Sequence, residues 1–315
     1  MMTDDVSRQD TTFALAVSPD FAHDGICFAA RASGLYCSAD GGLSWRFAYE
    51  ALQLDAPLTT TAVAVSPLFK SDACVFCGVS GAILRSSDRG RTWQATLLPP
   101  PPTPVSVLVT SPAYAHDGLV LAATLEDGIY ASDDRGDHWM PHSFGLMDLN
   151  VITLAMSPDF ANDETAFAGT ESGVFRSTNG GRAWRETDFP MECAPVLSLA
   201  VSPDFARDGT VWAGSEAHGL FRSADGGKSW ARVGAGALTE SINAILLAPG
   251  FSSEPCVLVV QAQTLVVSRD GGTTWSPWRA GLAFDEGLTC AVAPFGLDAG
   301  ALLLVGLADC GVRQV

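Results

Sequence analysis

An octapeptide of the form Ser-x-Asp-x-Gly-x-x-Trp recurs along the chain, and its spacing leaves few folds open. The six copies run 38–45, 86–93, 132–139, 177–184, 223–230 and 268–275. Their third positions, Asp40, Asp88, Asp134, Asn179, Asp225 and Asp270, lie 48, 46, 45, 46 and 45 residues apart. Each copy closes on a tryptophan: Trp45, Trp93, Trp139, Trp184, Trp230 and Trp275. Near-copies at so even an interval describe one supersecondary unit used over and over.

A second signature precedes each octapeptide. Short apolar stretches end in Ser-Pro or Ala-Pro: 13–19, 61–67, 106–112, 152–158, 197–203 and 243–249. A seventh such stretch, 288–294, follows the last octapeptide, so the chain holds seven units and six boxes. Each unit reads as four short strands with turn residues between them; in the fifth they fall at 196–201, 210–214, 219–223 and 230–233. A four-stranded meander every ~45 residues is the blade of a β-propeller. One blade is a small sheet with two apolar faces, and a closed ring of blades buries both. The expected fold is all-β: one seven-bladed propeller of four-stranded antiparallel blades over 1–315. The blades lie at about 12–50, 60–97, 105–142, 151–188, 195–234, 242–278 and 288–315.

The octapeptide has a local mechanism. An Asp or Asn side chain accepts hydrogen bonds from the backbone N–H groups just ahead of it. Gly supplies a positive φ at low cost. The Trp opens the outer strand and buries its ring against the blade. These twelve residues are therefore expected to be structural, in turns between third and fourth strands.

The octapeptides resemble the Asp-box, or bacterial neuraminidase repeat, over nearly the whole chain from about Phe13 to Val315. Sialidases, xyloglucanase-type glycoside hydrolases, sortilin-type receptors and photosystem II assembly factors carry this motif. The resemblance implies the propeller fold and a structural box, and it does not specify a function. Related propellers are closed by strands from both termini. By that analogy residues 4–10 would supply the fourth strand of the seventh blade, the other reading being a three-stranded last blade.

Little points to catalysis. Sialidases need an arginine cluster, a Tyr–Glu nucleophile pair and a Phe/Tyr-Arg-Ile-Pro motif, and this chain lacks that motif. Tyr36 and Tyr130 belong to or adjoin third strands, and Arg176 and Arg222 lead into boxes. Other glycosidases flank the sugar bond with two carboxylates, yet innermost strands such as 13–17, 62–65, 152–156 and 197–201 carry no ionisable side chain. The histidines, His23, His116, His138, His142 and His218, have no metal-ligand spacing. Cys74 and Cys77 form a CxxC inside a strand, where positions i and i+3 face opposite ways. Asp24, Asp117 and Asp208 occupy equivalent first-to-second-strand turns, where turn formation is the expected role and a calcium site the alternative. No catalytic residue, metal site or cofactor is assigned.

The charge is informative about partners. With 35 Asp and Glu against 18 Lys and Arg, the net charge of −17 disfavours nucleic acid and anionic membranes, favours solubility and allows a basic partner or a cation. No run approaches the ~18 apolar residues of a membrane span, and the first ten residues lack the pattern of a secretory signal; a cytoplasmic monomer is expected. Loops between second and third strands, with the inter-blade connections, share one variable face. It carries Glu126, Asp127, Glu171, Glu216 and Asp309, and further acids at Glu50, Asp55, Asp148, Asp188, Glu192, Glu240, Asp285 and Glu286. Arg31, Arg279, His142 and His218 are its few basic groups. Apolar residues are interleaved: Leu52, Leu54, Phe144, Leu146, Met147, Phe189, Met191, Leu282 and Phe284. The expected function is a non-catalytic binding or assembly scaffold that takes a basic protein partner on Glu126, Asp127, Glu171, Glu216, His218 and Asp309. The alternative is a glycoside hydrolase or lyase with carboxylates on the same face.

Overall fold

The computed structural model describes residues 10–309 and 311–315. Seven small antiparallel sheets follow one another along the chain, each with its strands in sequence order. Blade 1 comprises Thr12–Val17, Cys27–Arg31, Gly34–Ser38 and Arg46–Phe47. Blade 2 comprises Thr60–Val65, Val75–Val79, Ala82–Ser86 and Gln94–Leu97, and blade 3 Val105–Thr110, Val120–Thr124, Ile129–Ser132 and Met140–Pro141. Blade 4 holds Val151–Met156, Ala166–Thr170, Val174–Ser177 and Arg185–Glu186, and blade 5 Val196–Val201, Val211–Ser215, Leu220–Ser223 and Ala231–Val233. Blade 6 holds Ala244–Leu247, Val257–Val260, Leu265–Ser268 and Ser276–Pro277. Blade 7 has three strands among the described residues, Leu288–Val292, Leu304–Leu307 and Gly311–Gln314. The proposed closing strand from residues 4–10 lies, apart from Asp10, outside the described residues.

Every second strand is buried along its length except at Arg31, while fourth strands are short and largely exposed. The core is therefore a set of layers between neighbouring blades. Cys74 stands just before its strand rather than within it, yet the two cysteines part as expected, Cys77 entering the cluster shared with blade 1 and Cys74 the cluster shared with blade 3. Around the axis, side chains in or just before first strands donate to first-strand carbonyls of the next blade. Thr61 Oγ1 reaches Val105 O (2.6 Å), Ser106 Oγ reaches Val151 O (2.5 Å), and Asn243 Nδ2 reaches Leu288 O (2.7 Å). Thr289 Oγ1 reaches Thr12 O at 2.5 Å and closes the ring.

Each first-to-second-strand connection in blades 1 to 5 is a single helical turn, at Phe21–Asp24, Phe69–Asp72, Tyr114–Asp117, Phe160–Asp163 and Phe205–Asp208. Its last Asp holds it: Asp24 accepts from Ser18 Oγ (2.7 Å) and Ile26 N (2.9 Å), and Asp72, Asp117, Asp163 and Asp208 repeat the pair. Its first aromatic is buried against the second strand of the preceding blade. Phe69 meets Phe28, Tyr114 meets Phe76 and Phe205 meets Phe167, edge to face at 6.1, 6.4 and 5.8 Å between ring centroids. Burying one such ring contributes ~1.5–3 kcal/mol, so each wedge fastens two blades.

The boxes sit between third and fourth strands. In box 5, Ser223 Oγ donates to Asp225 Oδ1 (2.7 Å) and accepts from Gly227 N (2.9 Å). Lys228 N and Ser229 N both donate to Asp225 Oδ1 at 3.0 Å, and Ser229 Oγ donates to Oδ2 at 2.6 Å. These donors favour the ionised form. The hydrogen bonds from Thr274 hold Asp270 at about 2; at Asp88 burial pushes the other way, but the Thr92 bonds prevail and the pKa again falls to about 2. Box 4 departs from the pattern twice: Asn179 replaces Asp, and Ala183 stands where Ser44, Thr92, Ser229 or Thr274 supplies a hydroxyl. The two changes belong together, because an amide nitrogen in place of Oδ2 cannot accept a hydroxyl proton.

The box Trp does more than pack on its own blade. Trp93 Nε1 donates to Ala48 O (2.9 Å), Trp184 Nε1 to His142 O (2.8 Å) and Trp230 Nε1 to Thr187 Oγ1 (3.0 Å), in each case on the preceding blade. The second box glycine also abuts that blade: a Cβ on Gly227 would stand 2.3 Å from the Phe167 ring, and one on Gly42 would stand 3.1 Å from Leu304 of blade 7. Blade 7 thus meets blade 1 through the parts used elsewhere, with Gln314 Nε2 donating to Gly41 O at 2.9 Å.

Candidate functional site

The two faces of the ring differ in what their polar groups do. On the box face, turns and boxes are bonded to each other, Gly41 N to Gly25 O (2.9 Å), Gly226 N to Gly209 O (2.9 Å) and likewise in blades 2, 3, 4 and 6. Third-strand arginines reach across: Arg85 Nη1 donates to Arg135 O of the next box at 2.9 Å, and its guanidinium pairs with Asp137. These side chains are committed to structure.

On the variable face, second-to-third-strand loops bond to inter-blade connections. Leu125 N donates to Pro104 O (3.0 Å), Glu216 N to Pro195 O (3.1 Å) and Ala308 N to Gly287 O (2.8 Å). This backbone lattice fixes the loops and leaves carboxylates outward. Glu126, Glu171, Glu216 and Asp309 are exposed, and Glu126 holds a positive φ of 82°. Asp127 is half-buried and accepts from the Tyr130 hydroxyl. Glu171 Oε2 accepts from Asn150 Nδ2 at 3.2 Å. The side chains of Glu126, Glu216 and Asp309 enter no hydrogen bond or ion pair among the described residues. Glu126, Asp127, Glu171, Glu216 and His218 fall on three consecutive blades, 3 to 5, whereas Asp309 lies on blade 7, where its carbonyl accepts from Asp10 N at 3.5 Å.

Several residues expected on this face are elsewhere. His142 lines a cavity of about 310 Å3 between blades 3 and 4 with His116, Asp117, Glu164 and Arg182. Burial, reinforced by Arg182, lowers its pKa. Asp188 turns toward the next box, its N–H donating to Lys228 O at 3.0 Å. Leu146, Phe189 and Phe284 are buried plugs, because connections returning from rim to axis must cover the ends of the blade cores. What stays in solvent is Phe144 (80% exposed), Met147 (84%), Met191 (64%) and Leu54 (41%). Leu149, which the sequence reading passed over, joins them at 40%. Loop position in the sequence does not distinguish a plug from a displayed side chain.

Among the described residues no cluster of three or more His, Cys, Asp or Glu has a geometry that could hold a metal, and no helix is long and apolar enough to cross a membrane. Cavities open between neighbouring blades, one of about 490 Å3 lined by Asp163, Arg176, Phe205 and Asp225, and one of about 440 Å3 lined by Arg176, Arg185, Glu186, Asp188 and Lys228. Another, of about 410 Å3 with Leu265, Trp275 and Leu282 in its wall, holds one carboxylate, Glu240, beside Arg279.

The BNR/Asp-box repeat family matches residues 266–277, which span the sixth box. No curated protein matches the chain by sequence. Among solved structures, a GH74 xyloglucanase from Xanthomonas campestris is similar at 18% identity and a TM-score of 0.74, over 97% of this chain and 52% of that one. YCF48 bound to a D1 peptide is similar at 16% identity and a TM-score of 0.71, over 97% of this chain and 93% of that one. The extracellular domain of the putative one component system BT4673 from B. thetaiotaomicron is similar at 15% identity and a TM-score of 0.71, over 98% of this chain and 38% of that one. The chain thus spans about half of the xyloglucanase and less of the BT4673 extracellular domain. At these identities the likeness is one of fold.

Proposed function

We propose that this Asp-box propeller is a non-catalytic binding or assembly scaffold, a cytoplasmic monomer that takes a basic protein partner on its variable face. The observation that carries the reading is the division of labour between carboxylates. The box Asp and the last Asp of each one-turn helix are consumed by turns, whereas Glu126, Glu171 and Glu216 project into solvent from a hydrogen-bonded loop lattice. Unpaired acids on a rigid surface steer and orient a cationic partner. The likeness to a peptide-bound propeller of nearly the same length supports it by analogy of fold. The likeness to xyloglucanases supports a glycan-active alternative, which requires two carboxylates facing one sugar bond.

The test is affinity capture from the source cell's lysate with low- and high-salt washes. A stoichiometric partner should be retained at low salt, released by high salt, and lost when Glu126, Asp127, Glu171 and Glu216 are all replaced by Lys. Retention of every captured protein by that variant would defeat the reading. Release of reducing sugar from a β-glucan panel by the wild type would favour the alternative.

A further inference from the structure

Resting on that binding role, we infer that the partner seats on one sector of the variable face, the connection 143–149 between blades 3 and 4, and that it is a cationic segment carrying bulky apolar side chains. This connection is a rigid bracket. Ser143 Oγ accepts from Ile129 N (2.9 Å), Phe144 O accepts from Trp184 N (2.8 Å) and Leu149 O accepts from Gly128 N (3.0 Å). Leu146 is buried beneath it. Gly145 has φ +77°, and a Cβ there would stand 2.4 Å from Trp184 O, so the close crossing over blade 4 requires glycine. Asp148 locks the far end, accepting from Asn150 N (3.0 Å) and Ser172 N (2.8 Å). Burial would raise the Asp148 pKa, but these bonds outweigh it and keep the carboxyl ionised.

From this bracket Phe144 and Met147 stand 80% and 84% exposed, with Leu149 at 40%. Exposed apolar groups on a mobile loop could fold inward; here the backbone bonds hold them out. Side chains pinned in solvent lose little freedom when covered, which makes them efficient anchors. On the next connection Met191 is also displayed, 64% exposed. Acids surround it: Glu126 and Asp127 on blade 3, Glu171 on blade 4 and Glu192 beside Met191. Basic groups near it are few: Arg182 pairs with Glu164 at 3.3 Å, His142 is held neutral by burial in the groove between the blades, and Arg232 lies near Cys193 on the next connection. Apolar anchors within a mainly acidic frame select an occupant that is both greasy and positive.

The test uses fluorescence anisotropy with three labelled ten-residue peptides, one alternating Lys and Leu, one Lys and Ser, one Glu and Leu. The Lys–Leu peptide should bind at low salt at least about tenfold more tightly than either control. F144S/M147S should weaken it about tenfold or more, while E240K/D285K, elsewhere on the face, should change it less than about threefold. Both pairs are solvent-exposed, so melting should stay at the wild-type value and exclude unfolding as the cause. If E240K/D285K weakened binding as much as F144S/M147S, the sector would be wrong although the acidic face would still bind. If the wild type bound none of the peptides, both the sector and the broader reading would fail.

Discussion

Replacing Asp225 by alanine removes the acceptor for four donors: Ser223 Oγ, Lys228 N, Ser229 N and Ser229 Oγ. Water can reach this turn, so each lost bond is counted low, at ~0.3–0.5 kcal/mol, for a total of about 1–2 kcal/mol. That matches the loss of a helix cap. Asn179 in box 4 provides the internal comparison, because its Oδ1 serves two donors, Ser177 Oγ at 2.9 Å and Ala183 N at 2.9 Å. Asn179→Ala should therefore cost about half as much, roughly 0.5–1 kcal/mol. The pH dependence separates the two further. The Ser229 hydrogen bonds lower the Asp225 pKa. A lowered native pKa gives stability that is full above the unfolded value, near 3.9, and is lost as pH falls toward the native one. Urea unfolding at pH 7, 4 and 2.5 should show the Asp225→Ala deficit shrinking below pH 4, while the Asn179→Ala deficit stays level. Equal deficits at pH 7, or an Asp225 deficit unchanged at pH 2.5, would refute the claim that charge-accepting turns hold the boxes.

Further outcomes follow from the same geometry. Gly227→Ala drives a Cβ to 2.3 Å from the Phe167 ring at φ +80°, and Gly226→Ala at φ +77° meets nothing closer than 3.7 Å; urea midpoints should show about 3 kcal/mol lost for the first and about 1 for the second. Giving box 4 the full acceptor and hydroxyl set with N179D/A183S should stabilise the protein by roughly 0.5–1 kcal/mol, and N179D alone by less. The hydrogen bond from His138 to Asp134 (2.6 Å) raises the His138 pKa. Its contribution is complete below pH ~6.5 and fades as pH rises through the native value, so an NMR titration should place His138 above free histidine, and the H138A deficit in urea should be smaller at pH 8.5 than at pH 5.5.

The ring was legible because its grammar is local and repeated. Box residues such as Asp225 and Gly227 act on neighbours three or four positions away, and the interval between boxes counts the strands. The one-turn helices at Phe21–Asp24 and its equivalents were not foreseen, since four residues give no period to detect, although the recurring aromatic three residues after each Ser of Ser-Pro was the available signal. The direction of the box Trp, toward the preceding blade, depends on packing between units and cannot be read within one. The site was harder still. Glu126 and Glu171 could be assigned to a face from loop order, but whether Phe144 or Phe189 stays in solvent depends on how each connection crosses the rim, where length and polarity are poor guides.

The contacts that join blade 7 to blade 1 bear on how the molecule comes apart. An open array of repeats frays from its ends, because a terminal unit is held on one side only. Here Leu304 against Gly42 and Thr289 against Thr12 O give each blade two partners. Detaching any blade then means opening two interfaces at once, and the remaining arc has two uncovered apolar sides. Amide exchange in the buried second strands should accordingly report one shared opening event around the ring rather than a gradient along the chain.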